Sequence, residues 1–246
     1  MKLGHEAPPY HSGPRAWHDD AVLDVVFDLS LAHGRCVGLR LPSTEEEVHE
    51  LAARALADEE RAFALGLPGA RRRTWVGGRA ALRRALEVAG IEGAGCILAD
   101  ERGAPSLPRG ISGSISHKET LAVALVATSA GHVGVDLELD RVGRVDIASH
   151  VLADDELAEV AALDQESRSR EVLLRFSAKE AIYKALDPFV RRYVAFREVS
   201  VSPRADGTAE VRQHLSPGEG PFEVETTWRR TAGVVLTTAR VTLRRA

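Results

Sequence analysis

Apolar positions along the chain recur with two periods, and the periods come in blocks. Val22 to Leu29 and Cys36 to Leu41 alternate like short strands. The stretch "LPSTEEEVHELAARALADEERAFAL" then shifts to helical spacing. Ser43 and Glu46 stand at capping-box distance, the first turn is acidic, and Gly66 and Pro68 end the region. A second helix, "ARRRTWVGGRAALRRALEVAG", closes at Gly90. Strand signals follow at "CILAD", "ISGSIS", "LAVALVA" and "HVGVDLELD". The order then starts again, with a helix at "LADDELAEVAAL" and a longer one at "SRSREVLLRFSAKEAIYKALD" that should stop near Pro188. Strands are expected at "REVSVSP", "AEVRQ", "FEVETTW" and "GVVLTTARVTL", with turns at Asp206-Gly207 and Gly218. No residue-level repeat is visible. The order of elements alone predicts an α+β fold of two similar halves, residues 1–131 and 132–246, joined near Ala130 to Val133. Residues 1 to about 20 read as an irregular lead-in.

Composition narrows this picture. The chain has 246 residues, 44% apolar and 28% charged, which suits a globular protein with a real core. A net charge of −4 gives no overall basic field, so nucleic acid is not implied. Cys36 and Cys96 have neither disulfide-framework nor zinc spacing and read as two buried thiols in a reducing compartment. His5, His11 and His18 lack partner ligands and read as surface residues. The N-terminal stretch lacks the apolar core of a signal peptide. The longest fully apolar run, Leu121 to Ala127, is too short to span a bilayer. A cytoplasmic protein without a membrane partner is expected.

Candidate chemistry lies in five stretches. On a strand, "VGVDLELD" sends Val133, Val135, Leu137 and Leu139 into a core, and Gly134, Asp136, Glu138 and Asp140 the other way. Asp136 and Glu138 then share a face, about 6.5–7 Å apart at Cα. Two such carboxylates suit a hard dication, Mg²⁺ above all, with Gly134 keeping the approach open. The alternative is a solvated polar face. In "RFSAKEAIYKAL", Glu180 and Lys184 share a helix face, and Lys179 lies about 100° round. Glu180 could be a third metal ligand or a general base, with both lysines on phosphate. The alternative is a surface ion pair.

In "GSISHKE", Ser116 and His117 can donate to phosphate oxygens, or simply form a turn with a surface histidine. "RRRTWVGGR" crowds Arg71, Arg72, Arg73 and Arg79 at a helix start, where guanidinium forks suit phosphate. A solvated basic face would look the same. In "ERGAPSLP", Gly103 and Pro105 make a rigid loop that could lie against a flat base. Together these residues fit magnesium-assisted chemistry on a polyphosphate ligand.

The order of "RRRTWVGGRAALRRAL", "GAPSLPRGISGSISH", "GVDLELD" and "FSAKEAIYKAL" resembles the 4′-phosphopantetheinyl transferases. It is most similar to the enterobactin-type branch that serves siderophore and other natural-product synthases. The resemblance implies two pseudo-symmetric α+β halves with the active site in the cleft between them. It also implies a magnesium-dependent transfer of 4′-phosphopantetheine from coenzyme A to a serine of an acyl or peptidyl carrier protein, releasing adenosine 3′,5′-bisphosphate. By the same resemblance Asp136, Glu138 and Glu180 bind Mg²⁺. Arg71 and Arg79 hold coenzyme A phosphates, and Arg102, Gly103, Ala104 and Pro105 lie against the adenine. Ser116 and His117 contact phosphates, while Lys179 and Lys184 meet the pyrophosphate. Glu180, directly or through a water, takes the serine proton, and Lys184 and His117 offset charge on the leaving group. The branch is usually monomeric. Two positions depart from its pattern, with Thr74 where Glu is usual and Leu107 where Trp is usual. A non-catalytic coenzyme A-binding protein and a metal-dependent phosphohydrolase are the alternatives.

Overall fold

The structure, a computed structural model, describes residues 23–141 and 147–244. Val22 and the lead-in, with His5, His11 and His18, lie outside the described residues. Strands β1 (Val25–Leu31) and β2 (Gly34–Arg40) form a hairpin. Helices α1 (Glu45–Ala55), α2 (Asp58–Leu65) and α3 (Gly69–Val88) follow, then β3 (Ser112–Lys118) and β4 (Leu121–Ala127). The second half runs β5 (His132–Leu139), α4 (Ala148–Val151), α5 (Asp154–Val160), α6 (Gln165–Val190) and a 3₁₀ turn at Phe196–Glu198. It ends with β6 (Val199–Pro203), β7 (Thr208–Gln213), β8 (Phe222–Thr231) and β9 (Val234–Leu243). Among the described residues the strands form two antiparallel sheets, ordered β1-β2-β4-β3 and β5-β9-β8-β7-β6.

Each sheet carries one long helix. α3 packs on β2 and β4 around Leu39, Leu82 and Ala124, and α6 packs on β5 and β9 around Ala181, Ile182 and Val241. A third core joins the sheets to each other, with Val123 and Leu125 of β4 against Val133, Val135 and Leu137 of β5. β4 is therefore buried on both faces, which is why "LAVALVA" is continuously apolar rather than alternating. Among the described residues, no helix is long and apolar enough to cross a membrane.

The halves also share a device that the linear pattern hides. Leu56–Glu60 reads LADEE, and Leu152–Glu156 reads LADDE. In each, the final glutamate is the third residue of a short helix and is fully buried. Glu60 Oε2 accepts from Ala57 N at 2.7 Å and from Arg83 of α3 at 2.6 Å, and Oε1 accepts from Ile97 N at 2.9 Å. Glu156 Oε2 accepts from Ala153 N at 2.7 Å and from Lys179 of α6 at 2.5 Å, and Oε1 accepts from Val201 N at 2.8 Å. One carboxylate thus caps a short helix, neutralises a cation on the long helix and satisfies a distant amide.

Several expectations change. The α1 cap is Thr44, not Ser43: Thr44 Oγ1 accepts from Glu47 N at 3.2 Å. Both frames fit the motif, but Glu47 Oε2 accepts from both Ser43 N and Thr44 N, so the later frame satisfies one more backbone donor. "CILAD" contributes only a bridge between Ala99 and Pro105. Pro188 lies inside α6, which continues to Val190 because Phe189 packs on Phe222 with ring centroids 5.3 Å apart. Cys36 is buried, with its thiol pushed up to about 12 by desolvation, but Cys96 is exposed.

Candidate active site at the seam between the halves

The two sheets meet edge to edge where β3 lies beside β5. Alternation puts Ser112, Ser114 and Ser116 on one side of β3. Ser112 Oγ accepts from Val133 N at 2.9 Å, and Ser114 Oγ accepts from Val135 N at 3.1 Å. Ser116 Oγ donates to Asp136 Oδ1 at 2.8 Å. The small residues of "SGSIS" therefore stitch the halves together, and the last of them reaches the first candidate metal ligand.

β5 delivers Asp136 and Glu138 to the side that α6 covers. Both are nearly buried, at 5% and 8% exposure, which rules out a solvated polar face. Gly134 does not hold an approach open for a ligand. A Cβ there would stand 1.9 Å from Ala181 O, so this glycine exists to let α6 lie directly on the strand. Close contact at Gly134 brings the polar stripe Ser177, Glu180 and Lys184 over the carboxylates. These residues are spaced three and then four apart, so they share one helix face. Lys184 Nζ donates to Asp136 Oδ1 at 2.8 Å and to Val135 O at 2.9 Å. Ser177 Oγ donates to Asp136 Oδ2 at 2.9 Å. The expected alternative, a Glu180–Lys184 surface pair, is absent among the described residues, since Lys184 points to the strand instead.

Electrostatics bind the cluster further. Burial raises the Glu180 carboxyl above its usual range; Lys184 opposes that, while Asp136 and Glu138 add to it. Burial likewise raises Glu138, against the pull of Lys118, whose Nζ lies 2.9 Å from Oε1 and 2.7 Å from Oε2. His117, exposed at the end of β3, is lowered by partial desolvation and then by the Lys184 charge, with Asp136 opposing. Glu180, Glu138, Asp136, Lys184 and His117 thus sense one another across the seam. Beside Glu180 runs a groove lined by Tyr183, Tyr193, Val194 and Phe196.

Lys179 does not join them. Its ammonium is buried with Glu156 and also donates to Val151 O at 2.8 Å and Phe196 O at 3.0 Å. All three of its donors are used, so it is the counterpart of Arg83 rather than a ligand-facing cation. The arginine cluster divides in the same way. Arg72 donates to Ala64 O, Leu65 O, Leu67 O and Glu45, and Arg73 to Pro42 O and Glu119 O, so both clamp the fold. Arg71 is exposed. Arg79 is buried, with Nε donating to Ile97 O at 2.9 Å and its guanidinium 5.0 Å from the Trp75 ring centroid.

The loop around Arg102 is a preformed turn. Asp100 Oδ1 accepts from Arg102 N and Ala104 N, both at 2.9 Å, and Gly103 supplies the left-handed φ of +86°. Among the described residues Thr74 bonds within its own helix, to Arg71 O at 3.1 Å and Ala70 O at 3.4 Å. Leu107 fills its place by packing over Gly113, where a Cβ would come within 2.6 Å of its methyl.

Lys118 and Ser177 are the site residues that sequence reasoning missed. Lys118 follows His117 directly, and Ser177 lies three residues before Glu180, so the stripe spacing was the available signal. Among the described residues no three carboxylates, imidazoles or thiols converge closely enough to hold a metal ion. Lys118 and Lys184 supply the neutralising charge there. The donor set nevertheless fits a hard dication: it is all oxygen, and Asp136 raises both Glu138 and Glu180.

The seam thus gathers the carboxylates of β5, the polar stripe of α6 and two lysines between the two α+β halves. Family models match twice: the 4′-phosphopantetheinyl transferase N-terminal domain over residues 58–127, and the 4′-phosphopantetheinyl transferase superfamily over 132–239. The 4′-phosphopantetheinyl transferase Npt of Nocardia iowensis is 32% identical over 158 residues, 63% of this chain and 67% of that protein. The chain belongs to the 4′-phosphopantetheinyl transferase superfamily and is a transferase. Solved structures that resemble it include a holo-ACP synthase from Plasmodium yoelii (TM-score 0.37, 17% identity, 46% of this chain and 94% of that one). Another is an ACPS–CoA complex from Chronobacterium ammoniagenes (TM-score 0.36, 20% identity, 46% and 97%).

Proposed function

We propose that this chain moves 4′-phosphopantetheine from coenzyme A to a serine of an acyl or peptidyl carrier protein, and that the seam is where it does so. The observation that carries the reading is the burial of Asp136 and Glu138 under the Ser177–Glu180–Lys184 stripe, with His117 beside it. Asp136, Glu138 and Glu180 would hold Mg²⁺, which when bound supplies charge neutralisation at the pyrophosphate. Glu180, whose proton affinity is raised by burial, takes the proton from the incoming serine. The serine oxygen bonds to the phosphorus that carries the pantetheine arm. The bond from that phosphorus to the bridging oxygen breaks, and adenosine 3′,5′-bisphosphate leaves with the electron pair. Lys184 and His117 offset the charge that builds on the departing phosphate. Arg71, Arg79 and the Arg102–Pro105 turn bind the nucleotide end, and Ser116 positions Asp136. The uncharged arm suits the aromatic groove of Tyr183, Tyr193 and Phe196. Two halves, 1–131 and 132–246, each provide one wall.

Mass spectrometry of an apo carrier protein incubated with the chain, coenzyme A and Mg²⁺ tests this reading. A mass gain of one arm is expected. Free phosphopantetheine without modification would make the chain a hydrolase, and no change would make it a binder.

A further inference from the structure

The turn at 100–105 belongs to the first half and α6 to the second, yet two ion pairs tie them together. Arg102 grips Asp187 with both prongs, Nε to Oδ2 at 2.7 Å and Nη2 to Oδ1 at 2.5 Å. The Asp187 side chain is 14% exposed and half-buried under the turn, while Arg102 reaches it from the surface. Arg191, in the left-handed position just past α6, pairs with Glu101 on the same turn. Packing does not pin the turn's tip, because a Cβ at Gly103 would meet nothing within 4 Å. Its internal bonds to Asp100 fix its shape, the Ala99–Pro105 bridge anchors its base, and the bidentate Arg102–Asp187 pair ties its tip to α6, with the exposed Arg191–Glu101 pair adding little.

Asp187 is three residues beyond Lys184 and seven beyond Glu180, so it extends the same helix stripe. Tyr183, which lines the groove beside Glu180, senses both members of the latch: burial raises its phenol first and Asp187 second, while Arg102 opposes. A bidentate arginine–carboxylate pair fixes direction as well as distance, and neither asparagine nor lysine reproduces it.

We propose that Asp187 is a positioning residue for coenzyme binding: by holding Arg102 it fixes the 100–105 turn against α6, so that the nucleotide-binding turn and the Glu180–Lys184 face stand at one spacing. This rests on the reading of the cleft as a coenzyme A site. Asp187 touches neither substrate nor reacting atoms; it acts through Arg102. Arg102 is therefore held in place by the protein before any ligand arrives.

The test compares the wild type with Asp187→Asn, Asp187→Glu, Arg102→Ala and the double variant Arg102→Ala/Asp187→Asn. The affinities for coenzyme A and for 4′-phosphopantetheine, which lacks the nucleotide, are measured by calorimetry alongside steady-state rates. Asp187→Asn should weaken coenzyme A by about fivefold or more, the range of a modest coupling. It should leave 4′-phosphopantetheine affinity and kcat close to wild type, and Asp187→Glu should recover part of the loss. The double variant should bind no worse than Arg102→Ala alone. Wild-type affinity for coenzyme A in Asp187→Asn would overturn the proposal, as would equal losses for the two ligands or additive losses in the double variant. Failure of the wild-type chain to bind coenzyme A would instead sink the reading of the cleft.

Discussion

In the first half, Glu60 gathers the start of α2, Arg83 of α3 and the amide of Ile97. In the second, Glu156 gathers the start of α5, Lys179 of α6 and the amide of Val201. The same buried carboxylate holds a short helix to a long one in both places. The halves diverge at the seam. The first contributes hydroxyls, an imidazole and the Lys118 ammonium from β3; the second contributes carboxylates from β5 and a polar stripe from α6. A charged residue on the long helix can thus belong to the scaffold or to the site, and its turn of the helix decides which. Lys179 and Glu180 are neighbours in sequence, yet one anchors α5 while the other faces Asp136.

The comparison can be broken most directly at the buried pairs. Arg83→Met leaves the buried Glu60 without its ion pair and should lose about 3–5 kcal/mol in denaturant titrations; Lys179→Met should lose less, because Arg175 Nε stays 4.0 Å from Glu156. Full stability in Lys179→Met, with a raised KM for coenzyme A, would move Lys179 from the scaffold to the cleft. Next in size is the neighbour. Glu180→Gln should slow carrier-protein modification by roughly 10²-fold or more at a denaturant midpoint that does not fall, since burial already disfavours the charged carboxylate. Lys184→Ala should also slow it, non-additively with Glu180→Gln, because both act on one transition state. Near-normal rates in folded Glu180→Gln would make the α6 stripe scaffold as well.

The smallest effect is at the far end of the seam. His33, 2% exposed in the β1–β2 turn, lies 2.8 Å from Thr238 Oγ1 of β9, with Glu225 Oε2 at 3.8 Å. Burial lowers its proton affinity; the Arg240 charge adds to that, and Glu225 opposes. The unfolded chain takes up this proton below about pH 6.5, whereas the folded chain resists it. His33 therefore contributes full stability above that pH and loses it as the pH falls towards the depressed folded value. Unfolding titrations from pH 7 to pH 5 should show this slope in the wild type and a shallower one in His33→Gln. Equal slopes would remove His33 from the pH response of the seam.

Much of this was legible in the residues. The two element blocks, the α+β class and the pairing of Asp136 with Glu138 followed from periods two and 3.6, because side-chain direction is a local property of the backbone. The spacing of Glu180 and Lys184 followed from the same rule. Periodicity could not say what covers a face. Asp136 and Glu138, taken on their strand alone, read first as a solvated edge until Gly134 let α6 lie on β5. Lys179 and Lys184 read alike until one found Glu156 and the other Asp136. The LADEE and LADDE stretches went unread as a repeat because five residues carry little signal until each glutamate is seen to meet a cation 23 residues on. Arg102, read as a ligand contact, proved to be held by a residue 85 positions away. Sequence alone determined which residues could do chemistry and which way they would point. Tertiary structure decided which charges were neutralised within the scaffold and which were left facing the cleft, because burial and ion pairing depend on neighbours distant in the chain.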